Sequence, residues 1–333
     1  MNQKTIEWGV AIPQRFLNGP TDVPLLKKIV TRAEELNFHS LWAVDPYIYG
    51  YNIPHIEPIG LLTWAAALTS RIKLGTGVIA LSVHHPYHLA KAVAALDQMS
   101  GGRFIFGVGL GGAAQGRDFS EANSYFAVGS EPGHRVGRFM ENLRIVKALW
   151  AEDRVTYDGR FWKLDDVELL PKTVQQPHPP IWFGGEHPNM MRRTAKYADG
   201  WTAVGDIPTS EYKEALGLLR QYLEEFGRDP AEFTINRKAF VAVDSDGERA
   251  KKKAYDWFEK VLGFGPPKAV EAPIAGTVSE VTDKLGEIIQ SGVDVITLNH
   301  WFDPNEFAEQ IEIFGTEIIP RLTEGRQDAT KSK

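Results

Sequence analysis

The feature that most constrains the fold is a regular alternation of short apolar segments with longer amphipathic ones. Eight segments have the pattern of buried strands, at residues 6–12, 40–44, 72–80, 103–109, 180–184, 200–204, 233–243 and 293–299. Each is followed by at least one segment of helical periodicity, at residues 22–36, 58–69, 86–99, 134–150, 189–198, 209–226, 247–261, 278–290 and 304–321. Strand, helix and strand joined by tight links imply parallel pairing.

Eight such units predict an α/β fold, the TIM (β/α)8 barrel, within one domain over residues 1–322. An open doubly wound sheet is the alternative, because periodicity does not show whether a sheet closes. We predict insertions after strands two and four and before strands five and eight, with a hairpin at 155–164 that turns at Asp158-Gly159. Residues 323–333 are predicted to be disordered. Thr277 and Glu280 have the spacing of a helix capping box.

Composition excludes several classes of protein. The 333 residues contain no cysteine, so disulfides, cysteine zinc sites, iron–sulfur clusters and thiol nucleophiles are absent. The net charge of −6 argues against nucleic-acid binding. No apolar stretch suits a signal peptide or a membrane span, and we expect a cytoplasmic protein that acts on a small molecule.

Glycines cluster at two predicted strands. Strand four ends in Gly107-Val-Gly109-Leu-Gly111-Gly112, and strand three contains Gly75 and Gly77. A dinucleotide fingerprint would need a helix directly afterwards, whereas a long loop follows strand four. The glycines therefore indicate either close approach of a flat ligand or tight packing at a barrel mouth or corner.

Two histidine-containing segments lie beside predicted helix starts. The segment from Trp182 through Gly184, Gly185, Glu186 and His187 to Asn189 joins strand five to a helix, where free N–H groups favour phosphate, although Glu186 opposes it. The segment 84–88, His-His-Pro-Tyr-His, has the crowding of a metal site, but its proline fits the first position of a helix. A polar helix start is the plainer interpretation of these histidines.

Aromatic residues stand at or just after strand ends. We predict that some of them line a mouth for a planar ligand and an apolar substrate, although core packing explains any one of them equally well. The candidates for substrate binding are Trp42, Tyr47, Trp182, Trp201 and Trp301.

A set of motifs resembles the luciferase-like oxidoreductases that use a flavin or a deazaflavin. The most specific motif runs from Ala90 through Asp97-x-x-Ser100-Gly-Gly-Arg103 to Gly111. Other matching pieces lie, in the family's order, at residues 33–42, 69–76, 159–162, 179–185 and 198–201. The similarity covers residues 6 to 322.

The resemblance implies a TIM barrel with FMN or coenzyme F-420 at its C-terminal mouth, and either hydride transfer or oxygen activation. It places Gly77 and Val78 under the ring, through a non-proline cis peptide. It also implies that the glycines Gly107, Gly109, Gly111 and Gly112 border the cofactor, and that Gly184, Gly185, Glu186, His187 and Asn189 hold its phosphate. A separate reductase partner and a homo-oligomer are both compatible with it.

Two positions depart from the family pattern. Many relatives have a histidine directly after the acid that ends strand two, whereas Asp45 is followed by Pro46. Deazaflavin sugar-phosphate dehydrogenases have a glutamate where this chain has Gly112. We therefore take Asp45, His187 and His300 as the candidates for hydrogen bonding or proton transfer. A metal-dependent barrel hydrolase and a non-enzymatic flavin-binding protein are the alternative functions.

Overall fold

The computed structural model describes residues 5–16, 19–45, 55–111, 134–260, 265, 268–299 and 304–323. Within these ranges every predicted strand is present, the third of them in two pieces. Most of the predicted insertions at 46–57 and 110–133, and all but the first residue of the predicted disordered tail, lie outside the described residues. The chain divides into two compact units: the first comprises residues 1–42 and 185–333, and the second comprises residues 43–184.

The strands and helices are numbered in chain order. The strands are β1 (Glu7–Ala11), β2 (Ser40–Ala43), β3 (Lys73–Thr76), β4 (Ile79–Ala80), β5 (Phe104–Gly109), β6 (Val155–Asp158), β7 (Lys163–Val167), β8 (Ile181–Gly184), β9 (Gly200–Ala203), β10 (Thr234–Val243), β11 (Ile274–Gly276) and β12 (Val295–Asn299). The α-helices are α1 (Val23–Glu35), α2 (Pro58–Leu68), α3 (Pro86–Ser100), α4 (Arg135–Ala151), α5 (Pro188–Tyr197), α6 (Thr209–Glu225), α7 (Gly247–Lys260), α8 (Lys268–Glu271), α9 (Val278–Gln290) and α10 (Pro304–Ile313). Short 3-10 helices cover Leu81–Val83 and Pro230–Glu232, and a π-helical turn covers Phe314–Ile318.

The first unit is built on parallel strands around β10. That strand pairs with β12 along its middle, with β9 near its start and with β11 at its end, and β12 continues the sheet through β1 to β2. Buried polar side chains join three of these strands, because the Asn236 amide bonds the hydroxyls of Thr202 and Thr297 at 3.2 and 3.0 Å. The buried side chains of α1 are Leu26, Ile29, Val30 and Ala33, which lie on one apolar face of the helix.

The second unit has β5 at its centre. β3 and β4 both pair with β5 on one side, and β8 pairs with it on the other. The predicted antiparallel hairpin is present as β6 and β7, but its turn consists of residues 159–162 rather than Asp158-Gly159 alone. The longer turn is held by α4, whose Glu141 carboxylate accepts hydrogen bonds from three successive backbone N–H groups, those of Arg160, Phe161 and Trp162.

The most specific sequence motif performs a structural task in this unit. The fully buried Asp97 accepts bonds from the backbone N–H groups of Val174 and Gln175 and from the Gln175 amide, at 2.6 to 3.0 Å. Arg103 donates to carbonyl oxygens at the end of α2 and to that of Ile72. The motif thus connects α2, α3 and the segment before β8.

The remaining differences from the predicted elements concern short segments. β11 and α8 have three and four residues, and both lie in the Gly/Pro-rich segment before the last strand that we predicted to be an insertion. Such lengths are too short to establish a period. The predicted capping box is confirmed: Thr277 accepts from the Glu280 N–H, and the Glu280 carboxylate accepts from the Thr277 N–H.

Candidate active site

A non-proline cis peptide between Gly77 and Val78 interrupts the predicted third strand, as the resemblance implies. The Gly77 N–H donates to the Ala43 carbonyl at 2.7 Å, and the Asp45 N–H donates to the Val78 carbonyl at 3.3 Å. The residues around the cis bond are buried, while Val78 itself is half-buried. Val78 therefore presents part of its surface at the carboxyl end of β3, where barrel enzymes bind their ligands.

The strand-four glycines make room for this cis segment. A Cβ atom on Gly107 would lie 1.8 Å from the Thr76 carbonyl oxygen, and one on Gly109 would lie 2.8 Å from Cγ2 of Val78. Neighbouring protein therefore accounts for the absence of side chains at both positions, which favours the tight-packing interpretation over ligand approach. Gly111 has a φ of +71°, and Gly112 lies outside the described residues.

Asp45 follows β2 and lies against the cis segment. Its side chain is fully buried; Oδ2 accepts a hydrogen bond from the Ala80 N–H at 3.1 Å and shares one with Nε2 of His84 at 2.7 Å. The other carboxylate oxygen, Oδ1, is also buried and has no hydrogen-bond partner. Buried carboxylate oxygens are costly to leave without a donor, so an unpartnered one marks a position where a ligand donor is expected.

His84 is held in place by α4. The Asn142 amide donates to the carbonyl oxygens of Leu81 and His84 at 2.7 and 2.9 Å, and it accepts from the indole N–H of Trp162 at 2.5 Å. Sequence reasoning did not select His84 as a catalytic candidate, because its carboxylate partner lies 39 positions away in the chain. Its neighbours His85 and His88 are exposed and pack against each other, with ring centroids 4.7 Å apart.

The predicted phosphate segment starts α5 in the first unit. Gly185 has a φ of +111°, and its carbonyl oxygen accepts from the indole N–H of Trp201 at 3.1 Å. The exposed His187 caps the helix, because its Nδ1 accepts from the Asn189 N–H at 3.2 Å. A phosphate at this N–H would replace the histidine ring.

Glu186 points toward β9 rather than toward a phosphate. Its carboxylate accepts from the Val204 N–H at 2.6 Å, and burial raises its pKa to about 7. The guanidinium of Arg237 lies 4.8 Å from the centre of the Tyr212 ring, and burial lowers the pKa of Arg237 to about 10. Burial also lowers the pKa of Lys238 to about 8, although the negative charges of Asp206 and Glu186 oppose this shift. Sequence patterns do not indicate that Glu186 lies near Arg237 and Lys238, because it is far from them in the chain.

The described aromatic candidates are packed in the core. Trp42 donates to the hydroxyl of Ser40 at 2.8 Å, and Trp201 stacks on Tyr212 with an angle of 7° between the ring planes. Trp182 is 4% exposed. Their predicted contact with substrate stays a prediction, and Tyr47, Trp301 and the catalytic candidate His300 lie outside the described residues.

In the described part of the chain, no three histidine or carboxylate side chains are grouped as a metal site would require. Within the same ranges, no helix combines the length and the apolar character needed to cross a bilayer.

Comparison with known proteins identifies the family. A family model described as luciferase-like monooxygenase matches residues 7–311. The F-420-dependent glucose-6-phosphate dehydrogenase of Kineococcus radiotolerans is 29% identical over 267 residues, which are 78% of this chain and 75% of that protein. The 5,10-methylenetetrahydromethanopterin reductase of Methanopyrus kandleri is 26% identical over 349 aligned residues, with 92% of this chain and 96% of that protein covered.

Comparison with a solved structure supports the predicted fold. The crystal structure of monooxygenase RslO1 from Streptomyces bottropensis has a TM-score of 0.78 and 25% identity, and the match covers 95% of this chain and 99% of that one. The prediction of a TIM barrel is confirmed, and the alternative of an open doubly wound sheet is wrong. The chain belongs to the luciferase-like monooxygenase family.

Proposed function

We propose that this protein is an oxidoreductase that uses the deazaflavin coenzyme F-420 to oxidise or reduce a small organic substrate. When bound, the deazaflavin supplies a hydride acceptor or donor. The observation that carries the proposal is the half-buried Val78, whose carbonyl oxygen accepts from the N–H of Asp45, a residue with a buried and unpartnered Oδ1. The relatives that are named F-420-dependent or reductase and match most of this chain support it.

The residues of the second unit fit such a ring. Val78 offers an apolar surface for a planar group, and Asp45 offers an acceptor for a ring or substrate donor. Gly107 and Gly109 act indirectly in this proposal, because they allow the cis segment to approach β5 closely. Gly111, Gly112 and Gly184 would complete the border of the cofactor.

We assign the phosphate of the cofactor to the start of α5. Gly185 leaves the backbone accessible, and the Asn189 N–H is the helix donor that a phosphate would take over from the ring of His187. Glu186 is not part of this proposed site, because its carboxylate faces the Val204 N–H.

A sugar phosphate is not the substrate that we propose. The sugar-phosphate dehydrogenases that the sequence resembles have a glutamate at the position of Gly112, and this chain offers no carboxylate there. A neutral alcohol or carbonyl compound fits a site whose described polar groups are Asp45 and His84.

A second candidate is an FMN-dependent monooxygenase that receives reduced flavin from a separate reductase. The likeness to the monooxygenase RslO1, at 25% identity over nearly the whole chain, favours it. In this case oxygen activation would replace hydride exchange with the substrate, and the same Val78 surface would contact the flavin.

Two substitutions of Val78 test where the ring binds. Val78→Trp fills the space beside the half-buried side chain, whereas Val78→Thr keeps its shape. We expect Val78→Trp to weaken F-420 binding by about 100-fold, close to 3 kcal/mol, and Val78→Thr to stay within about threefold of the unmodified protein. Fluorescence titration measures the affinity, and circular dichroism confirms folding. Equal affinity of the folded Val78→Trp protein and the unmodified protein would show that the ring binds elsewhere.

A further inference from the structure

We propose that Asp45 and His84 form a proton relay, in which Asp45 exchanges a proton with the substrate and His84 connects Asp45 to solvent. This inference rests on the proposed oxidoreductase function and adds the path of the proton to it. The residue directly after Asp45 is Pro46, which has no side-chain proton to give, so the proton partner of Asp45 comes from another part of the chain.

The two oxygens of Asp45 have separate tasks in this relay. Oδ2 is bonded to the Ala80 N–H and to Nε2 of His84, so its position is fixed from two directions. Oδ1 is buried without a partner, so it is the atom left to bond a substrate hydroxyl or carbonyl. A carboxylate with one oxygen on a histidine and the other free is arranged to pass a proton between the two sides.

His84 has the contact with solvent that Asp45 lacks. Its side chain is 19% exposed, whereas that of Asp45 is 0% exposed. The backbone of residues 81–84 is fixed by two hydrogen bonds from Asn142, so the imidazole stays at 2.7 Å from Asp45. The ring is held with Nε2 at the carboxylate, and part of its surface contacts solvent. It can therefore transfer a proton between water and the buried acid.

The proton balance is the same in both directions of the reaction. In the oxidation of an alcohol, its O–H proton would pass to Oδ1 of Asp45 while the proton that lies between Oδ2 and Nε2 of His84 moves to Nε2, and His84 would then release one proton to water. The two electrons would leave with the C–H hydride, which a bound deazaflavin would accept. When a carbonyl compound is reduced, these proton steps run in reverse and water supplies the proton.

The first test needs neither cofactor nor substrate. NMR of the 15N-histidine-labelled protein detects the Nε2 proton of His84 and its exchange with water by saturation transfer. We expect a hydrogen-bonded Nε2–H signal that exchanges with water and disappears in His84→Gln. A signal protected from exchange would overturn the relay, because the ring could not then be reloaded from solvent.

The second test uses His84→Gln, whose amide can still donate to Asp45 but carries no titratable proton. With F-420 and small alcohols as probes, we expect about 100-fold lower kcat in both His84→Gln and His84→Ala, with KM nearly unchanged. Added imidazole restores His84→Ala, which has room for it, but not His84→Gln. His88→Gln, the same change at an exposed neighbour, keeps the original rate.

The outcomes separate the two proposals. If the unmodified protein binds no F-420, the proposed cofactor is wrong, while the exchange experiment on the ligand-free protein still decides whether His84 passes protons to water. If F-420 binds and His84→Gln retains the original kcat, His84 only positions Asp45 and the relay is overturned.

Discussion

Carboxylates of similar burial differ here in how completely their oxygens are bonded. Asp97 and Glu141 each accept hydrogen bonds from three donors and are thereby committed to holding loops. Asp45 leaves one buried oxygen without a donor. An unbonded buried oxygen costs stability, and this difference is the reason we propose a chemical role for Asp45 and assign a structural one to Asp97 and Glu141.

The raised pKa of Glu186 predicts a pH-dependent loss of stability. Below its ordinary value of 4.5 the carboxyl group is neutral in both the folded and the unfolded state. Between 4.5 and about 7 the unfolded state releases this proton while the folded state retains it, so the free energy of unfolding falls as pH rises. We expect the unmodified protein to lose about 1–3 kcal/mol of its free energy of unfolding between pH 4.5 and 8 through this carboxyl group. Glu186→Gln should not show this loss, because its amide does not ionise and its oxygen still accepts from the Val204 N–H.

Urea unfolding at pH 4.5 and at pH 8 measures this effect, and Glu214→Gln, at an exposed position of α6, is the matched control. The raised pKa of Glu186 would be contradicted if the Glu186→Gln and unmodified proteins differed in stability by the same amount at both pH values.

The sequence could predict Asp45 at the end of a strand but not its partner. The pairing with His84 joins residues 39 positions apart in the chain, and it follows a 3-10 turn at Leu81–Val83. Neither feature produces a periodic pattern in the sequence. For the same reason the Trp201 indole could be placed at β9, but not assigned to stacking on Tyr212.

At the scale of elements, the structure explains the strand-four glycines by the approach of β3. The carbonyl oxygen of Thr76 occupies the place that a Cβ of Gly107 would need, and the Thr76 hydroxyl donates to the Gly107 carbonyl at 2.8 Å. The glycine pattern predicts that another group closely approaches this strand. It does not show whether that group is a ligand or a neighbouring strand, because either one would exclude side chains at these positions.

Replacing Gly107 with alanine tests whether β3 or a ligand occupies the space beside it. We expect Gly107→Ala to lower the free energy of unfolding of the ligand-free protein by about 3 kcal/mol or to prevent folding, because the clash is with backbone. Gly217→Ala, in the middle of α6 with open space around it, is the control and should raise stability by about 0.5–1 kcal/mol. Denaturant unfolding compares the two. A Gly107→Ala protein of normal stability that no longer binds cofactor would instead indicate ligand approach.

For the whole molecule, the alternation of strands and helices predicts eight strand–helix units with parallel pairing, but not whether the sheet closes into a barrel. Each predicted strand is four residues or longer, and burial imposes an apolar pattern on segments of that length. Closure of the sheet is not visible in such a pattern, and the comparison with RslO1 supplied it. The motif from Asp97 to Arg103 identified the family, although its side chains hold helices and loops together rather than forming the candidate site.

The central claim is that the protein binds a deazaflavin, and an equilibrium titration tests it most directly. Purified protein is titrated with oxidised F-420 and, separately, with FMN, and binding is followed by cofactor fluorescence. We predict saturation by F-420 with one site per chain and a Kd on the order of 1 μM, about −8 kcal/mol, and weaker binding of FMN. Tighter binding of FMN would contradict the choice of F-420 in favour of the monooxygenase, and no saturation by either cofactor up to about 1 mM would contradict the account as a whole.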